Sequence, residues 1–133
     1  MRAACFIESG KPMEVMQVPD PAPGPGEVLL RVKGCGICGS DLHVTELGRA
    51  VPRGAVMGHE FAGEIVAVGR DARGPHGPWR EGDRVCTMPG ISCGICLACL
   101  SGDVMGCPKL RATGFGDIGG GYAEYALGGD RMT

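Results

Sequence analysis

Residues 93–107, CGICLACLSGDVMGC, carry four cysteines, Cys93, Cys96, Cys99 and Cys107, spaced C-x2-C-x2-C-x7-C. Thiolates at this spacing suit a metal. Zn²⁺ takes four ligands at tetrahedral corners with Zn–S of about 2.3 Å. Three cysteines two residues apart can curl around one ion, and Cys107 closes the fourth corner. Gly94, Gly102 and Gly106 let the backbone turn tightly enough. Four thiolates leave no open position, so the expected zinc is structural. It replaces a hydrophobic core that so short a loop cannot build. Lys109 and Arg111 lie close enough in sequence to soften the negative charge of such a centre. The rival readings are a disulfide pair, a redox C-x-x-C and, as the main metal alternative, an iron–sulfur cluster.

A second constellation is spread over GCGICGSDLH and GHE. Cys38, His59 and Glu60 offer one sulfur, one nitrogen and one carboxylate, the ligand types of an open zinc site with one exchangeable position. Ser40 follows Cys38 by two residues, and His43 lies three further on, on the same face of a helix. A hydroxyl beside a metal and an imidazole behind it could pass a proton outward. Asp41 is typed to accept from the second ring nitrogen of His59. Each piece alone is weak. A single cysteine is usually a small buried apolar residue, and a single histidine is usually satisfied structurally.

The elements that must position these groups are short. The chain has 133 residues, 44% of them apolar and only 5% aromatic, with 25 Gly and 10 Pro. That much glycine and proline argues against a helical bundle and for short strands joined by turns. The segments RAACFI, MEVMQV, EVLLRVKG, HEFAGEIVAVG, DRVCTM and YAEYAL read as strands, the fourth with a glycine that marks a bulge. In EVLLRVKG, Val28, Leu30 and Val32 share one face, and Leu29, Arg31 and Lys33 the other. GSDLHVTELG reads as a short helix with Ser40 or Asp41 as cap and Gly48 as stop. RDARGPHGPWREG is a surface turn region in which His76 is solvated and Trp79 packs the loop; Cys5 and Cys86 are expected as buried thiols. The sum is one domain over 1–133, an antiparallel barrel or sandwich with one helix and a cysteine loop at about 90–110. A net charge of −2 and the lack of a basic stripe argue against nucleic acid, and no run of 18 apolar residues suggests a membrane span. The apolar stretch of MRAACFIESGKP is too short for a signal peptide, so the expected location is the cytoplasm. Thiols there stay reduced, which favours metal ligands over disulfides.

In this order, GICGSDLH, GHEFAGEIVAVG, GDRV, the cysteine array and GGYAEY resemble the zinc-dependent alcohol dehydrogenases of the medium-chain dehydrogenase/reductase superfamily, over essentially the entire chain. GICGSDLH looks closer to the polyol and threonine dehydrogenase branches than to the ethanol-oxidising ones. The resemblance implies the N-terminal catalytic domain, a β-barrel similar to the chaperonin GroES. It implies that Cys38 and His59 hold a catalytic zinc, with Glu60 as the neighbouring carboxylate able to approach the metal or withdraw. Ser40 matches the hydroxyl that takes the alcohol proton, and His43 the outer relay residue. Cys93, Cys96, Cys99 and Cys107 match the structural zinc site. The implied reaction removes hydride from a small alcohol or polyol to NAD or NADP, in full-length enzymes that are homo-oligomers.

The family's nucleotide-binding domain is absent from residues 1–133, so the expectation is a fragment, a truncated product or one half of a pair, inactive alone. GFGDIG is formally G-x-G-x-x-G, but a dinucleotide fingerprint follows a strand, opens a helix and has an acidic residue about 20 positions on. Here GGYAEYAL follows instead. The competing function is a stand-alone zinc-stabilised barrel serving as a structural or regulatory binding module.

Overall fold

A computed structural model describes residues 1–47, 51–116 and 118–129. Strands dominate, and every ladder between named strands is antiparallel. β1 (Arg2–Cys5) pairs with β2 (Glu14–Gln17). β3 (Val28–Gly36) leads into helix α1 (Gly39–Leu47) and then β4 (Glu60–Val68). β5 (Arg73–Gly74) and β6 (Gly77–Pro78) make a small hairpin within the expected turn region, followed by β7 (Arg84–Cys86). The cysteine-rich segment holds β8 (Gly90–Ile91), the one-turn helix α2 (Leu97–Leu100), a 3-10 turn at Val104–Gly106 and β9 (Arg111–Ala112). β10 (Tyr125–Gly128) returns to the main sheet, whose order is β10-β3-β4-β7.

The alternation in β3 gives the expected faces. Val28 and Leu30 are buried and Val32 half-buried, while Arg31 and Lys33 face solvent. They join Phe61, Ile65, Val85 and Ala126 in the main core, against which Trp79 packs. The β3–β4 register slips between Val32 and Gly34, opposite Gly63, where the expected bulge lies. A β-carbon on Gly63 would fall 2.5 Å from the Arg31 carbonyl oxygen, so only glycine allows this approach. A second, smaller core of Phe6, Val44 and Met57 seats α1 against the turn before β4.

One expectation changes. Cys86 is exposed, because β7 is an edge strand of the sheet and Val85 takes its inward position. Of the two expected caps, Asp41 serves, from inside the first turn: its Oδ2 accepts the Cys38 N–H at 3.0 Å, the return half of a capping box. Ser40 turns its hydroxyl elsewhere, and Gly48, the expected stop, lies outside the described residues. Among the described residues no helix is long and apolar enough to cross a membrane. Among the described residues no helix follows GFGDIG, and Gly114 (φ 77°) and Gly116 (φ 119°) serve turns leading to β10.

Candidate metal centres

The main sheet assembles the first centre from distant segments. Gly36 at the end of β3 pairs with Glu60 at the start of β4, so the residues just beyond β3 and just before β4 meet. Cys38 and His59 occupy those positions. The sulfur of Cys38, a ring nitrogen of His59 and a carboxylate oxygen of Glu60 all lie within 4.8 Å of one another. Adjacent residues on a regular strand point to opposite faces. Gly58, at φ 91°, breaks the strand path and lets His59 and Glu60 aim at one point. Glu60 folds across Gly36, where a β-carbon would fall 2.7 Å from its Oε2.

His59 is buried and oriented from three sides. Its Nε2 lies 3.4 Å from the Ser40 hydroxyl, its Nδ1 faces Asp41 Oδ1 at 3.4 Å, and its ring packs on Phe115 with centroids 4.9 Å apart. Asp41 is only 2% exposed, so its carboxylate depends on internal donors. Those donors are the Cys38 N–H and the Tyr122 hydroxyl, the latter at 2.9 Å. Burial, reinforced by the Asp41 carboxylate, pushes the Tyr122 phenol well above its usual range, so it stays a donor. At 3.4 Å the buried Asp41 Oδ1 and His59 Nδ1 face each other without completing a hydrogen bond, and a carboxylate oxygen on that side favours the tautomer with its proton on Nδ1 and the Nε2 lone pair free to ligate. His43 is exposed on α1 with no hydrogen bond to another described residue, so Ser40 and His43 are not linked directly here. Cys35 Sγ packs against Gly58 and is not among the converging ligand atoms.

The second centre is local. The four sulfurs of Cys93, Cys96, Cys99 and Cys107 also lie within 4.8 Å of one another. Three of the separations are 3.4, 3.5 and 3.9 Å. A tetrahedral ion with Zn–S of about 2.3 Å requires sulfurs about 3.8 Å apart. The protonation of the cluster fits the same reading. The amides of Ile95 and Cys96 lower the Cys93 thiol to about 6. Cys96 also receives an amide hydrogen bond, from Cys99, but sharing its proton with the Cys99 sulfur and burial raise it to about 11. Four sulfurs this close cannot all ionise without a compensating cation. All eight cysteines are free. The lobe is tied back to the main sheet by Arg111, whose guanidinium pairs with Glu27 Oε1 at 2.7 Å.

Every residue singled out in the sequence as a metal ligand therefore falls into one of two clusters. Tyr122 was not legible: it lies 81 residues from Asp41, and nothing in local spacing signals the contact.

Comparison with known proteins agrees with this architecture. An L-threonine 3-dehydrogenase of Saccharopolyspora erythraea is 37% identical over 131 residues, 96% of this chain and 37% of the relative. The sorbitol dehydrogenase of Bacillus subtilis is 35% identical over 92% of this chain and 35% of its own length. Among solved structures, a cobalt- and zinc-bound thermostable alcohol dehydrogenase from Pyrobaculum aerophilum matches with TM-score 0.83 at 35% identity, over 97% of this chain and 39% of that one. The acetophenone reductase of Geotrichum candidum in complex with NAD matches with TM-score 0.78 at 33% identity, over 96% of this chain and 37% of that one. The chain thus spans little more than a third of the length of the relatives it matches. Residues 24–132 match the family described as the alcohol dehydrogenase GroES-like domain, and the chain belongs to that family.

Proposed function

We propose that residues 1–133 form the zinc-binding catalytic domain of an NAD- or NADP-dependent alcohol or polyol dehydrogenase. The observation that carries this reading is the convergence of Cys38, His59 and Glu60 beside the Ser40 hydroxyl, with a separate four-cysteine centre nearby in sequence. One zinc would be held by Cys93, Cys96, Cys99 and Cys107, and another by Cys38 and His59, with Glu60 filling a third position. Zinc in an open site supplies Lewis acidity, lowering the pKa of a bound hydroxyl.

The rest of the task falls to the chain's own groups. Ser40 is positioned to accept the substrate's hydroxyl proton, at the atom that now lies 3.4 Å from His59 Nε2. His43, exposed on the same helix, would receive that proton and release it to solvent, with a water or the substrate bridging the gap to Ser40. Asp41, whose Oδ1 faces Nδ1 at 3.4 Å, would orient the His59 ring. Hydride leaves the substrate for a nicotinamide, which no side chain can replace. GFGDIG leads into β10 and opens no helix among the described residues, so we do not read it as a dinucleotide site. The chain alone is therefore expected to be inactive, with nicotinamide binding supplied by sequence of the kind that makes up the remainder of its relatives. The threonine and sorbitol dehydrogenases among those relatives support a small polar alcohol or polyol as substrate. Free thiols throughout suit a reducing, cytoplasmic setting.

Elemental analysis tests the reading. Wild-type chain should hold two zincs, the four-cysteine ion the tighter. Cys99→Ser should lose that ion, and His59→Ala only the other, since the two centres share no ligand. Retention of both metals by His59→Ala would remove the catalytic assignment. Alcohol oxidation by residues 1–133 with NAD or NADP would overturn the expectation of inactivity.

A further inference from the structure

We infer that Tyr122 is a positioning residue for the metal at Cys38, His59 and Glu60, acting through its hydrogen bond to Asp41; this rests on the metal reading above. The Tyr122 hydroxyl donates to Asp41 Oδ2 at 2.9 Å and lies 3.2 Å from the Gly36 carbonyl oxygen. The same Oδ2 accepts the Cys38 N–H, which leaves Oδ1 to face His59 Nδ1. One buried carboxylate thus reads the backbone of one ligand and the ring of another, and Tyr122 fixes its rotamer.

Tyr122 is itself held firmly. Its N–H donates to the Met57 carbonyl at 2.9 Å, and its carbonyl accepts the Ala4 N–H at 2.7 Å. Its ring lies on Gly58, where a β-carbon would fall 2.7 Å from the ring edge. The residue therefore connects β1, the turn that aims His59 and the start of α1. Without the hydroxyl, Asp41 keeps only the Cys38 amide as a hydrogen-bond donor. Oδ1 is then no longer constrained to face Nδ1, and the His59 ring loses its preferred tautomer and orientation. Partners one step beyond a metal ligand are commonly worth 10- to 100-fold in metal affinity, so a group a further step out should be worth about three- to tenfold.

Tyr122→Phe isolates the hydroxyl, because the ring still covers Gly58. The protein is first loaded with zinc at the four cysteines and then titrated with cobalt(II), whose visible absorption reports the Cys38 centre. The variant should require about three- to tenfold more cobalt and give an altered band, while the four-cysteine zinc is retained. In metal-free protein, nitrogen NMR of the three histidine rings should show His59 as a single Nδ1–H tautomer in wild type and as a mixture in Tyr122→Phe. In an Asp41→Ala background, which removes the acceptor, Tyr122→Phe should cost nothing further. Unchanged cobalt affinity, or an equal loss in the Asp41→Ala background, overturns the inference. If Tyr122→Phe does not fold, the wild-type tautomer decides, and a mixture there overturns it. Wild-type protein that binds no cobalt beyond the four-cysteine centre refutes the metal reading, and the tautomer measurement then judges Tyr122 separately.

Discussion

Gly58 does at one position what neither neighbouring ligand could do for itself. Its left-handed backbone turns His59 and Glu60 toward the same point, and its bare α-carbon receives the Tyr122 ring and the Cys35 sulfur. Gly58→Ala should therefore fail twice, through the φ of 91° and through contacts of 2.7 and 2.9 Å with Tyr122 and Cys35. The expected loss is about 3 kcal/mol or more in urea unfolding, with metal lost from the Cys38 centre at the same time. Wild-type stability in this variant would show that the turn adapts. At this scale the sequence was partly readable. The four-cysteine ligands are announced by their spacing, because the metal reads chain positions a few residues apart. The GHE triplet even carries the glycine that its two ligands require. Cys86 was misread because a thiol's burial depends on the strand's place in the sheet, which residue type does not encode. Tyr122 was missed because its role comes from tertiary contact alone.

Between elements, one ion pair joins the cysteine lobe to the sheet. Glu27, just before β3, meets Arg111 on β9, and its other oxygen accepts the Gly24 N–H at 3.0 Å. Burial would raise the Glu27 carboxyl, but the hydrogen bonds from Arg111 and Gly24 outweigh it and hold the carboxyl below its ordinary 4.5. A carboxyl depressed in the folded state adds stability above its unfolded pKa and loses it as pH falls through the folded value. Glu27→Gln should thus be less stable than wild type at pH 7 by up to about 1 kcal/mol, Arg111 being half-exposed. The difference should shrink toward zero as the pH is lowered through the carboxylate range. Urea unfolding of both proteins across that range checks it, and a gap that widens in acid would contradict the assignment. Strand positions were well predicted because alternation is a local signal, as β3 illustrates. The pairing of β3 with β4, which creates the Cys38 centre, is not local: a helix and its flanking turns intervene.

Across the whole molecule, the two clusters differ in what happens when metal leaves. The Cys38 centre contains one sulfur, so an emptied site can simply refill. The four-cysteine lobe is different. Three of its sulfur pairs already sit 3.4 to 3.9 Å apart, a side-chain rotation away from bonding distance. In air, dioxygen or peroxide can oxidise such neighbours to disulfides, each bridge giving up two hydrogens. The chelated protein should accumulate this mass loss at Cys93, Cys96, Cys99 and Cys107 and then refuse zinc until a thiol reductant is added. A chelated sample that keeps four alkylatable thiols after days in air would contradict this. The ion is then a protecting group in the synthetic chemist's sense, and the shelf life of the protein is set by how long the lobe keeps it.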